Sequence, residues 1–104
     1  MSRDGLYNYH TLRLGKYLDE HENAYEELET AKAFAVAFGI SVKLEVFDEK
    51  NLWFAILVGY DADSIFAPEI LSTIKFFALY YQYSILGQYQ EVRSVYDELE
   101  PEGC

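Results

Sequence analysis

Seven consecutive apolar residues, Leu52, Trp53, Phe54, Ala55, Ile56, Leu57 and Val58, constrain the fold of this chain more than any other feature. A strand with one face in water alternates apolar and polar side chains, whereas an unbroken apolar strand must be covered on both faces. The stretch from Leu52 to Tyr60 therefore reads as a central strand. Just before it, Ser41 to Phe47 alternates, with Val42, Leu44 and Val46 on one face and Lys43 and Glu45 on the other. Asp48, Glu49, Lys50 and Asn51 form a turn-prone break, so the two strands make a hairpin.

The remaining elements follow from local signals. Leu6 to Leu14 alternates and is rich in aromatic and β-branched side chains, which favours a strand. Asn23, followed three residues later by Glu26, marks a helix start with a reciprocal carboxylate, and Gly39 marks its end. The helix spans Ala24 to Phe38, with Leu28, Ala31, Phe34, Ala35 and Phe38 inward. A second helix begins at Ser64 or Ala67, with Pro68 and Glu69 in its first turn, and runs to Leu86, where Gly87 stops it. Tyr89, Val92, Tyr96 and Leu99 recur at helical spacing, so a short third helix ending at Pro101 is expected, although Val92 and Val95 also suit a strand. The expected fold is a single α+β domain of order β-α-β-β-α-(α). Its three-stranded antiparallel sheet has order 1-3-2, with the helices packed on one face, because a split β-α-β unit puts the apolar strand in the middle.

Composition sets the outer bounds. At 104 residues the chain is one domain, able to bury roughly two-thirds of its unfolded surface. An apolar fraction of 51% argues for a real core despite a net charge of −10. The segment from Met1 to Gly15 has no apolar run of signal-peptide type, which predicts a cytoplasmic protein. Cys104 is the sole cysteine, so neither an internal disulfide nor a cysteine metal site is expected. Between Ile65 and Leu86, Pro68, Glu69, Lys75 and Gln82 load the longest apolar stretch too heavily for a membrane span.

The second helix is apolar almost all round. Ile70, Ile74, Phe77, Ala78, Tyr81 and Ile85 form one stripe, and Phe76, Leu79, Tyr80, Tyr83 and Leu86 form another on the opposite side. Either the segment from Tyr89 to Leu99 folds over the second stripe, or the stripe meets a partner or a second copy of the chain.

Asp19, Glu20, Glu22, Glu26, Glu27 and Glu29 form a carboxylate cluster without an intervening Lys or Arg. Such residues complement a helix N-terminus, and charge runs commonly mark a solvated face. Together with Asp97, Glu98, Glu100 and Glu102, they also suit an array imitating nucleic-acid phosphates in the basic groove of a nucleic-acid-handling protein. Asp19-Glu20-His21-Glu22 has neither calcium-loop nor zinc spacing, so no metal is expected. His10 and His21 are the only imidazoles and no nucleophile or phosphate-loop motif occurs, so neither catalysis nor a cofactor is expected. Eight scattered basic residues provide no track for direct nucleic-acid binding, and no membrane contact is expected. The function expected is that of a small acidic, non-enzymatic binding protein that inhibits or modulates a basic protein partner. The partner-binding residues are the six carboxylates with Phe76, Tyr80 and Tyr83. The alternative is a homo-oligomeric module, a dimer before higher forms, associating through the second helix or the open sheet face.

Overall fold

The computed structural model describes residues 5–94. Six elements follow in the order β1 (Leu6–Tyr17), α1 (Ala24–Phe38), β2 (Ser41–Asp48), β3 (Trp53–Asp61), α2 (Ala67–Tyr80) and β4 (Ser84–Ser94). The four strands form one antiparallel sheet of order β2-β3-β1-β4. Two split β-α-β units thus interleave in the ferredoxin-like connectivity. The apolar strand β3 does sit between β2 and β1, but the sheet has a fourth strand that the sequence reading assigned to helix.

The difference arises at one turn. α2 stops at Tyr80 instead of Leu86 because Gln82 adopts the left-handed conformation (φ 64°) that glycine usually supplies. The Tyr83 N–H then reaches back to the Ala78 carbonyl at 2.7 Å, and the Gln82 N–H to Leu79 at 3.3 Å. α1 closes through the same kind of motif with Gly39, whose successor Ile40 donates to Ala35 at 2.9 Å. Gly87, expected as a helix stop, lies within β4 beside Leu86, where the pairing with β1 shifts register. Tyr89 and Val92 therefore belong to a strand. The continuation to Leu99 and Pro101, Cys104, and the C-terminal carboxylates Asp97, Glu98, Glu100 and Glu102 lie outside the described residues.

Elsewhere, local chemistry fixes the ends. Asn23 caps α1 by accepting the Tyr25 N–H at 2.8 Å. Asp48 gathers the Lys50 and Asn51 amides to turn the hairpin, while Leu52 takes a positive φ. The β3–α2 loop is held to β1 by Asp63, which accepts the Asn8 backbone and side-chain amides at 2.8 and 3.0 Å. Those bonds also hold the Asp63 carboxyl below its usual pKa.

One sheet face carries the core. Leu12 and Leu14 of β1 lie beside Val58 and Ile56 of β3, and Ala31, Ala35, Ile74 and Phe77 of the two helices close over them. Among the described residues the opposite face has no helix layer. It is instead furnished by side chains laid over glycines: the Tyr9 ring covers Gly59, while Trp53 and Leu86 cover Gly15. Tyr9 then bonds Ser41 Oγ at 2.5 Å, so its ring bridges β1 to β2 across β3. A Cβ on Gly59 would overlap that ring. Gly59→Ala should cost about 1–3 kcal/mol in urea denaturation, outweighing the entropic gain of losing a glycine. The cost should shrink in a Tyr9→Ala background, and strict additivity would disprove the seat.

Candidate partner-binding cleft

The acidic approach to α1 and the end of α2 are far apart in sequence yet share one cleft of about 330 Å³. Glu22 and Glu27 line it from the α1 side. Tyr80, Tyr81 and Gln82 line it from the end of α2, and Lys16 and Tyr17 from β1. The fold creates this meeting because β1 leads directly into the acidic loop, while the Gln82 turn returns the chain beside β1.

The inner half is electrostatically closed. Lys16 lies on the core-facing row of β1 opposite Phe54 and needs a counter-charge there. Its ammonium group pairs with Glu27 at 2.8 Å, donates to the Tyr81 carbonyl at 2.9 Å and sits 4.6 Å from the centre of the Tyr83 ring. The Lys16 and Glu27 side chains are only 10% and 18% exposed. Tyr83 donates a long 3.4 Å hydrogen bond to Glu27 and is 7% exposed. Burial foremost, then the Glu27 charge, pushes its phenol far above the ordinary tyrosine value.

The outer half remains available. Glu22 accepts the Asp19 N–H at 2.6 Å, and its own N–H donates to the Asp19 carbonyl at 2.9 Å, which shapes the acidic loop. This reciprocal pair falls earlier in the chain than the expected Asn23–Glu26 pair. Tyr80 is 75% exposed and meets Tyr81 edge to face at 4.8 Å between ring centres. Tyr17, also exposed, leans on Trp53 at 4.9 Å.

The other residues singled out in the sequence divide clearly. Asp19, Glu20, Glu26 and Glu29 are exposed on the loop before α1 and on α1 itself, and do not line the cleft. Of these, Glu29 lies 4.0 Å from Lys32 and Glu20 lies 3.9 Å from His21, both weak surface contacts. Phe76 is 71% exposed on the outer side of α2, with Leu79 nearby. Tyr83 does not share that outward stripe: its ring faces Phe77 at 5.7 Å and Phe54 at 6.4 Å within the core. Leu86 lies in β4 against Gly15. Lys16, Tyr17, Tyr81 and Gln82 were not among the partner-binding residues expected from the sequence. Lys16 carried a usable signal, as the one cation continuing the inward row of Leu12 and Leu14.

His10 pairs with the Tyr60 hydroxyl at 2.6 Å, partly buried. Among the described residues no three His, Cys, Asp or Glu side chains converge on a metal position, and no helix is long and apolar enough to cross a membrane. Comparison with protein families, curated proteins and solved structures returns no match to this chain.

Lys16→Met should cost about 1–3 kcal/mol in chemical denaturation by stranding Glu27, and adding Glu27→Leu should restore part of that loss. A cost no larger than that of an exposed lysine would contradict the closed inner half. Alkaline pH provides an independent check. An unfolded tyrosine ionises near pH ~10, whereas folded Tyr83 holds its proton to higher pH. Its contribution is therefore intact below the unfolded value and lost as pH rises above it. Stability measured above that point should fall less steeply for Tyr83→Phe than for the parent chain.

Proposed function

We propose that this is a non-enzymatic binding protein that engages a basic protein partner and inhibits or modulates it. The observation that carries the reading is the shared cleft, where the Glu22 carboxylate stands beside the exposed rings of Tyr17 and Tyr80. Carboxylates and tyrosine faces together suit an arginine or lysine side chain, through a charged hydrogen bond and cation–π contact. Asp19, Glu20, Glu26 and Glu29, exposed on the same loop and helix, add negative charge that steers a cationic surface toward this side of the protein. Partners built to hold phosphate backbones have such a surface, and the carboxylates then stand in for the phosphates. Glu27 contributes less than its neighbours, because Lys16 already neutralises it.

The exposure of Phe76, Leu79 and Tyr80 on one side of α2 favours a second reading, self-association through that helix.

The test is calorimetric titration against a panel of basic nucleic-acid-handling proteins at low and high salt. Binding should weaken as salt rises. Glu20→Lys with Glu26→Lys should lower affinity by about tenfold, chiefly through slower association. Tyr80→Ser should lower it by a similar factor, about tenfold, through faster dissociation. Affinity unchanged by the charge reversal sinks the proposal. A salt-resistant dimer abolished by Phe76→Ser with Tyr80→Ser supports the second reading.

A further inference from the structure

The uncovered face of the sheet holds another cleft, of about 470 Å³, on the side away from the helices. Its floor is the middle of β3, at Leu57 and Gly59. The glycine matters because the flat Tyr9 ring occupies the space a side chain would fill. The guanidinium of Arg93 stacks on that ring, 3.7 Å from its centre. Tyr89, half exposed, forms an apolar wall, and the Thr11 and Ser41 hydroxyls line the opposite part.

Cations and carboxylates alternate around this cleft. Glu45 is paired with Arg13, and Glu91 with Arg93 at 2.5 Å, so both carboxylates in the cleft are already neutralised. Lys43 lines the same cleft, and its side chain makes no hydrogen bond or ion pair with another described residue. Immediately around the cleft Arg13, Lys43 and Arg93 meet Glu45 and Glu91, while Asp48 and Asp61 lie further out on the same face. A cavity with one unspent cation recruits an anion. Two carboxylates within reach disfavour a second negative charge, so a monoanion fits better than a phosphate dianion or a nucleic-acid backbone. The volume suits a small molecule, and the Tyr89 and Leu57 surfaces suit a flat ring.

We propose that this cleft binds a small organic monoanion, a carboxylate carried on a flat ring. The carboxylate sits on Lys43, with the Thr11 hydroxyl as a further donor, and the ring lies against Tyr89 and Leu57. The site is independent of the partner-binding cleft.

The test is a two-dimensional amide NMR titration of the whole chain with benzoate, indole-3-carboxylate, neutral benzamide and inorganic phosphate. At least one ring carboxylate should give saturable shifts confined to β1, β2, β3 and β4 around the cleft. Benzamide and phosphate should bind more weakly, by about tenfold or more. Lys43→Met should lose about tenfold in affinity with an otherwise superimposable spectrum, while Lys43→Arg retains binding. Absence of saturation by either carboxylate at about 10 mM overturns the proposal, since that concentration exceeds any useful affinity for the site. So does equal binding of benzamide or phosphate, or binding that survives Lys43→Met.

Discussion

β3 cannot face water on either side, and the rest of the architecture answers that constraint. Its core-facing residues, Phe54, Ile56, Val58 and Tyr60, are closed by two helices. Its other face alternates Trp53, Ala55, Leu57 and Gly59, two of them small. Small residues remove most of the apolar area that a helix layer would have to cover. Tyr9, Trp53 and Leu86 then lie flat across the glycines and cover the remainder. A ferredoxin-like sheet with one unlayered face is thus made stable by side chains from the sheet itself, and the shallow cleft above Leu57 and Gly59 is the space they leave.

A second constraint acts at the other end of the sheet. Lys16 continues the inward row of β1 after Leu12 and Leu14, where another apolar residue would be expected. Burying that ammonium costs more than a surface position would, unless it finds a counter-charge and acceptors. Glu27 from α1, the Tyr81 carbonyl and the Tyr83 ring provide them together. Because these come from α1 and from the turn after α2, the ion pair sets how both sit relative to β1. Glu27 therefore serves the fold, while its neighbours Glu20, Glu26 and Glu29 remain exposed. One acidic run in the sequence has two physical roles.

Much of this was legible in advance. The continuous apolar run placed β3 inside the sheet, Asn23 and Gly39 bounded α1, and the order 1-3-2 is embedded in the observed 2-3-1-4. β4 was hidden because its signals are weak. Gln82 takes a backbone conformation that sequence reading reserves for glycine, and Tyr83, Ile85 and Leu86 continue the apolar content of α2 without announcing a change of period. As an edge strand with Gln88 and Gln90 on one side, β4 also lacks the clean alternation of a half-buried strand. Once the helix ends six residues early, Tyr83 falls inward and Tyr80 outward. The carboxylates were legible as charge, but which of them lies beside an aromatic corner depends on that unannounced turn.

The same topology divides the protein electrically. Arg13, Lys43 and Arg93 project from alternate positions of three strands onto the sheet face away from the helices, interleaved with Glu45, Asp48, Asp61 and Glu91, because β-strand periodicity sends every second residue there. Asp19, Glu20, Glu26 and Glu29 belong to the loop and helix between β1 and β2, and among the described residues only His21 and Lys32 approach any of them, at 3.9 Å from Glu20 and 4.0 Å from Glu29. A uniform net charge of −10 would repel every anion and attract every cation without discrimination. Segregation changes that, because screening confines each local field to about 8 Å at physiological salt. An approaching ligand therefore responds to the face it meets rather than to the total. On the two proposals made above, a cationic protein surface would meet the carboxylates of α1 and its approach, and a small carboxylate would meet Lys43 on the sheet, so the two encounters use different faces.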